Sequence, residues 1–101
     1  MVIVCDIDEL LYDKNNNIKG TLKLTTKTIF KPQGYEILSD LFPKNNKPLM
    51  EQCKENYSKW YCKKILFDPH SIVEINYWTG CHEATPQGNV KIGENEFLLL
   101  H

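Results

Sequence analysis

The sequence predicts an α+β domain, mainly antiparallel sheet, with one amphipathic helix in the middle of the chain. Three observations predict it. Residues 20–31 alternate with a period of two, Leu22, Leu24, Thr26, Thr28 and Phe30 against Lys23, Lys27 and Lys31, as a half-buried strand requires. Residues 48–64 repeat apolar side chains every fourth position, at Leu49, Cys53, Tyr57 and Tyr61, with Met50 and Trp60 beside them, which fits a helical stripe. Short apolar runs separated by Gly, Pro and Asn fill the rest, and strands joined by local turns favour antiparallel pairing. A chain of 101 residues has room for one modest core, so a single domain, 1–101, is expected.

Taken in order, residues 2–7 and 10–12 read as short strands, and Asp13-Lys14-Asn15-Asn16-Asn17 as a turn. The alternating segment 20–31 reads as two strands with a tight turn near residues 25–27, stopped by Pro32 and Gly34. Residues 35–41 suit one helical turn, ended by Pro43. The helix over 48–64 has Pro48 in its first turn and Asn45 or Asn46 as a cap, while Lys63 and Lys64 complement the negative end of its dipole. It should bury Leu49, Cys53, Tyr57 and Trp60 and expose Lys54 and Lys59. Residues 65–67 and 71–78 read as strands and 80–88 as a loop. Residues 89–92 and 96–100 read as a hairpin around Gly93-Glu94-Asn95. Tyr61, Tyr77 and Trp78 are expected in the core with Trp60.

Composition narrows the function classes. The hydrophobic fraction of 42% and charged fraction of 25% are ordinary for a soluble protein. No apolar run approaches the ~20 residues that span a bilayer. The opening Met1-Val2-Ile3-Val4-Cys5-Asp6 lacks the basic segment of a secretion signal, so a cytoplasmic location is expected. All 12 basic residues are lysine and the net charge is -1. A dedicated nucleic-acid binder would carry a basic excess, and without arginine there is no bidentate fork for phosphate, carboxylate or guanine. Cys5, Cys53, Cys62 and Cys81 contain no C-x-x-C and are expected as buried free thiols. A zinc set of Cys53, Cys62, Cys81 and His82 can be written, but adjacent Cys and His rarely both reach one tetrahedral ion. No metal, cofactor or catalytic set is expected.

Gly20-Thr21-Leu22-Lys23-Leu24-Thr25, with the adjoining Thr26-Lys27-Thr28-Ile29-Phe30-Lys31-Pro32, resembles the second and third strands of PH-like and GRAM domains. In that pattern a glycine opens a strand and the next strand ends in phenylalanine. The acidic and aromatic stretch Asp6-Ile7-Asp8-Glu9-Leu10-Leu11-Tyr12 ahead of it is similar to the N-terminal PH-like domain of BEACH-family proteins related to the neutral sphingomyelinase activation factor. The resemblance covers about a third of the chain. It implies a PH-like sheet fold or a variant of it. The implied role is a non-catalytic adaptor that binds a protein partner or, alternatively, an anionic membrane surface. Lys19, Lys23, Lys27 and Lys31 would then form the binding face, each lysine near an anionic leaflet contributing ~1 kcal/mol. On residues alone the same lysines serve as a solvated face or as protection of an edge strand.

Two other classes compete. Val2-Ile3-Val4-Cys5-Asp6-Ile7-Asp8 resembles the opening motif of haloacid-dehalogenase-type phosphatases. In that motif a buried strand presents the first carboxylate as nucleophile and the second as general acid and base, with Mg²⁺ balancing the charge. Here Glu9-Leu10 replaces the small residues that come after the motif, and the chain is short for a parallel βαβ fold. The remaining class is a small phage or parasite protein that inhibits a host protein by covering its surface, which needs only a complementary face.

Overall fold

A computed structural model describes residues 1–39, 44–47 and 53–101. Its strands are β1 (Val2–Ile3), β2 (Leu10–Asp13), β3 (Ile29–Phe30), β4 (Gln33–Leu38), β5 (Lys54–Tyr57), β6 (Leu66–Phe67), β7 (Ile72–Glu74), β8 (Gln87–Gly88), β9 (Ile92–Gly93) and β10 (Phe97–Leu100), with helix α1 at Ile18–Leu24. One sheet runs β1-β6-β3-β9, a second β2-β10-β4-β5, and β7 pairs with β8 alone. The class is α+β, as expected, but the two larger sheets are mixed. β3 pairs with β9 in parallel and β10 with β4 in parallel, while β1–β6, β3–β6, β2–β10 and β4–β5 are antiparallel.

The core lies where the two sheets meet. Phe30 of β3, Leu66 of β6 and Phe97 of β10 are buried together, with Leu11, Ile18 and Leu22 packed against them. The Phe30 and Phe97 rings meet edge to face at 5.0 Å, a favourable quadrupole arrangement. Ile29, Ile65, Leu99 and Leu100 extend the buried apolar set.

The first correction concerns residues 20–31. Residues 20–24 belong to α1, not to a strand, and β3 keeps only Ile29–Phe30. The cause is the turn before it. Asn17 caps the helix by accepting from the Gly20 amide at 3.0 Å, which satisfies one of the orphan N–H groups of the first turn. Ile18 and Leu22, one turn apart, then reach the core while Lys19 and Lys23 face water, the (i, i+4) geometry of an amphipathic helix.

Asp13 organises that turn. Its carboxylate accepts from the Asn15 amide at 3.0 Å, the Asn17 amide at 3.1 Å and the Thr21 hydroxyl at 2.7 Å, and Asn16 adopts a left-handed φ of 54°, which asparagine tolerates. Burial raises the Asp13 pKa, but the bonds from Asn15, Thr21 and Asn17 outweigh it and hold the carboxyl below its ordinary value. A lowered native pKa means the stabilisation is complete above the ordinary value of 3.8 and is lost as pH falls from there through the native value. Asp13→Ala is therefore expected to cost about 2 kcal/mol at neutral pH. Urea titrations should show that deficit shrinking as pH falls from about 3.8 through the native value.

The second correction concerns residues 48–64. Residues 48–52, with Leu49 and Met50, lie outside the described residues. From Cys53 onward the chain forms strand β5 and a 3₁₀ turn at Lys59–Tyr61, not a helix. β5 pairs with β4 in the register Tyr35↔Tyr57 to Leu38↔Lys54, so residues 33–38 form a strand where a helical turn was expected. Cys53 is half-buried and Tyr57 and Trp60 are exposed; Lys54 and Lys59 are exposed, as expected. The hairpin expected over 89–100 also divides: β9 joins β3 in the first sheet, and β10 lies between β2 and β4 in the second. Burial of Phe97 against Phe30 requires this, because the two strands supply opposite walls of the core. No helix among the described residues is long and apolar enough to cross a membrane.

Candidate functional site

A groove lies beside the 3₁₀ turn. Strand β4 and the segment 58–62 are held together around Gly34, whose carbonyl accepts from the Ser58 amide at 2.9 Å and whose amide donates to Cys62 Sγ at 3.3 Å. The Cys62 thiol lies 3.5 Å from both the Tyr57 hydroxyl and the Ser58 carbonyl. Its hydrogen bond is the main cause that raises the Tyr57 pKa. The Tyr57 ring meets Tyr35 edge on at 5.8 Å across the strand pair, which fixes that wall of the groove.

The opposite wall comes from residues 77–85. Lys64 bonds the Glu83 carboxylate and donates to the Ala84 carbonyl at 3.0 Å, and the Tyr77 hydroxyl donates to the Lys64 carbonyl at 2.8 Å. Burial pushes the Tyr77 pKa up to about 12, so the phenol stays a neutral donor. Lys64 is the first cause that holds Glu83 below the usual carboxylate range. His82 Nδ1 lies 3.1 Å from the Trp60 carbonyl, and the two rings meet edge to face at 5.6 Å.

Beside Trp60 and His82 lies a cavity of about 390 Å³ lined by Lys31, Lys59, Trp60, Cys62, His82 and Glu83. It continues into a second of about 230 Å³ that shares Lys31, Lys59 and Cys62 and extends past Tyr57 to Glu94 and Asn95. Trp60 is 73% exposed and Tyr57 62%, large rings left in water by a well-tied frame. Trp78 is also exposed at 62%, contrary to its expected core position, and its indole N–H donates to Thr85 Oγ1 at 2.9 Å. Tyr61 and Tyr77 are half-buried.

The four lysines of the expected binding face separate. Lys19 and Lys23 lie one turn apart on the exposed side of α1, Lys27 is exposed in the loop after it, and Lys31 alone lines the groove. Sequence reasoning does not find Trp60 and Tyr57 as surface rings, because their spacing puts both on the apolar side of a helix. The readable signal is the crowding of Tyr57, Trp60 and Tyr61 among Ser58, Lys59, Lys63 and Lys64.

The Asp6-Ile7-Asp8 motif is not presented by a strand. β1 ends at Ile3, and residues 6–9 form a turn in which the Glu9 amide donates to the Asp6 carbonyl at 3.1 Å. The two carboxylates diverge, Asp6 to Lys63 Nζ at 3.1 Å and Asp8 to His101 Nε2 at 3.0 Å. All four cysteines are free; Cys5 is exposed and the other three are half-buried, not buried as expected. Among the described residues no group of three His, Cys, Asp or Glu side chains is placed to hold a metal ion.

Trp60→Ala and Tyr57→Ala are each expected to change stability by less than about 1 kcal/mol, because an exposed ring leaves little buried area to lose. Chemical denaturation of the single variants checks this. A loss near ~3 kcal/mol would place those rings in a core. No family model, curated protein or solved structure matches this chain.

Proposed function

We propose that this chain is a non-catalytic binding module that acts through protein contacts at the Tyr57–Trp60 groove. The observation that carries the reading is a pair of exposed aromatic rings, Trp60 at the larger cavity and Tyr57 at the smaller one that shares its lysines, in a frame braced by hydrogen bonds and an ion pair. Tyr and Trp anchors seated in or beside a pocket dominate many protein interfaces, and a rigid frame lowers the entropic cost of association. The proposal does not draw on the PH-like resemblance, because the glycine-led strand that carried it lies in α1.

The test is affinity capture from cells that express the protein, comparing wild type with a Tyr57→Ala/Trp60→Ala variant. A protein retained by wild type and lost by the variant is the expected result. Equal retention by the two would overturn the reading. A second reading, docking to an anionic membrane, is favoured by one observation: Lys19 and Lys23 share the outer side of α1 beside the exposed Leu24. Sedimentation with anionic vesicles separates it, since Lys19→Gln/Lys23→Gln would then weaken binding steeply at low salt.

A further inference from the structure

The lysines around the groove have different fates. Lys63 is 3% exposed and turns inward to Glu9 and Asp6. Lys64 turns the other way and is taken by Glu83. Lys31 and Lys59 line both parts of the groove and have no ion-pair partner among the described residues. Of the two carboxylates that line the groove, Glu83 is committed to Lys64, and Glu94 lies only in the outer part, beside Asn95. The larger cavity is therefore a cleft beside the Trp60 ring in which Lys64 takes the Glu83 carboxylate, Lys31 acts on it only from a distance, and neither Lys31 nor Lys59 is ion-paired among the described residues.

We infer that the occupant of this groove is an acidic segment of a partner protein, with carboxylates flanking an aromatic or large apolar side chain. The inference rests on the protein-contact reading above and specifies its chemistry. The apolar side chain packs against Trp60 beside the His82 edge, and the carboxylates lie along Lys31 and Lys59. The lysine ammonium is a compact point charge that attracts a carboxylate without fixing its geometry, which suits a segment held mainly by its apolar side chain. The overall charge of -1 also gives a polyanion such as nucleic acid no long-range attraction. For a short acidic segment, two local ammonium groups supply complementarity that sets specificity and association rate.

The test is selection of peptides from a random display library on the intact chain. The expected outcome is an enriched set that is net negative and contains an aromatic or large apolar residue. Its binding should fall about tenfold in Lys31→Gln/Lys59→Gln, and several-fold on raising salt above physiological ionic strength. Lys19→Gln/Lys23→Gln, remote from the groove, should bind as wild type does. Circular dichroism and a urea midpoint equal to wild type show that the glutamine variants remain folded.

A neutral or basic enriched set that still needs Trp60 would overturn the acidic inference and leave the groove reading standing. An enriched set indifferent to Trp60→Ala, or no enriched set, would remove both. Binding of oligothymidylate or anionic vesicles that is lost in Lys31→Gln/Lys59→Gln would assign the lysines to another ligand and overturn the inference.

Discussion

Lys63→Met is expected to destabilise the protein by about 3–5 kcal/mol at neutral pH. The Lys63 side chain is 3% exposed and the Glu9 side chain 1%, and the two form an ion pair that Asp6 completes from the surface. Burial lowers the Lys63 pKa, but the bonds to Glu9 and Asp6 outweigh it and hold the ammonium above its ordinary value. That stabilisation is complete below about pH 10.5 and is lost as pH rises through the native value. With methionine in its place, Glu9 keeps the Asp6 amide as donor but its side chain, 1% exposed, loses its cation. A buried carboxylate left without its cation is costly. Adding Glu9→Leu removes the orphaned charge and should restore most of the loss, since apolar replacement of a whole buried pair is often neutral. Urea titrations of the single and double variants at neutral pH read both the loss and its rescue. A single variant within about 0.5 kcal/mol of wild type would show that Glu9 is solvated.

The same ion pair marks a limit of sequence reading, because Asp6 and Glu9 lie more than fifty residues from Lys63 and nothing local announces their pairing. What is legible is local. Strand β2, the turn after it, β6 and β10 all fall where alternation and turn residues place them. The two large errors share one cause. Lys19, Lys23, Lys27 and Lys31 recur every four residues, and so do Leu49, Cys53, Tyr57 and Tyr61. A spacing of four is two strand periods and also close to one helical turn, so it fits either element. In the first segment the choice is made by the Asn17 cap and the Asp13 bonds to the turn, which favour a helix start. In the second it is made by β4, which takes residues 54–57 as its antiparallel neighbour. The groove is not legible for a related reason. Its walls come from residues 31–33, 57–62, 82–83 and 94–95, brought together only by the sheet order. Lysine periodicity singles out Lys31 and the crowding of aromatic residues marks Trp60, but nothing in the pattern joins either to His82.

Gly34→Ala is expected to cost about 3 kcal/mol or more and to abolish peptide binding in the groove. A Cβ on Gly34 would lie 2.3 Å from the Tyr61 carbonyl carbon, 2.5 Å from Tyr61 Cβ and 2.6 Å from the Tyr61 oxygen. These atoms belong to or adjoin the backbone of the 3₁₀ turn, so no rotamer change relieves the overlap. The strand and the turn must separate, which breaks the Ser58 amide bond to the Gly34 carbonyl and moves Cys62 away from the Gly34 amide. Those two contacts tie β4 to the segment that brings Tyr57 and Cys62 to the groove. Gly20→Ala provides the contrast: its Cβ would meet the Asn17 side-chain amide at 2.3 Å, the movable end of a capping side chain. Its cost should stay near the ~1 kcal/mol of a lost cap, offset in part by the better helix propensity of alanine. Measured side by side in urea, the Gly34 variant should lose at least about twice the stability of the Gly20 variant. Only the Gly34 variant should lose affinity for groove-selected peptides at temperatures where both remain folded. Full peptide affinity in a folded Gly34→Ala protein would show that the groove does not depend on the β4 contact with the turn, and the site would have to be sought elsewhere on the surface.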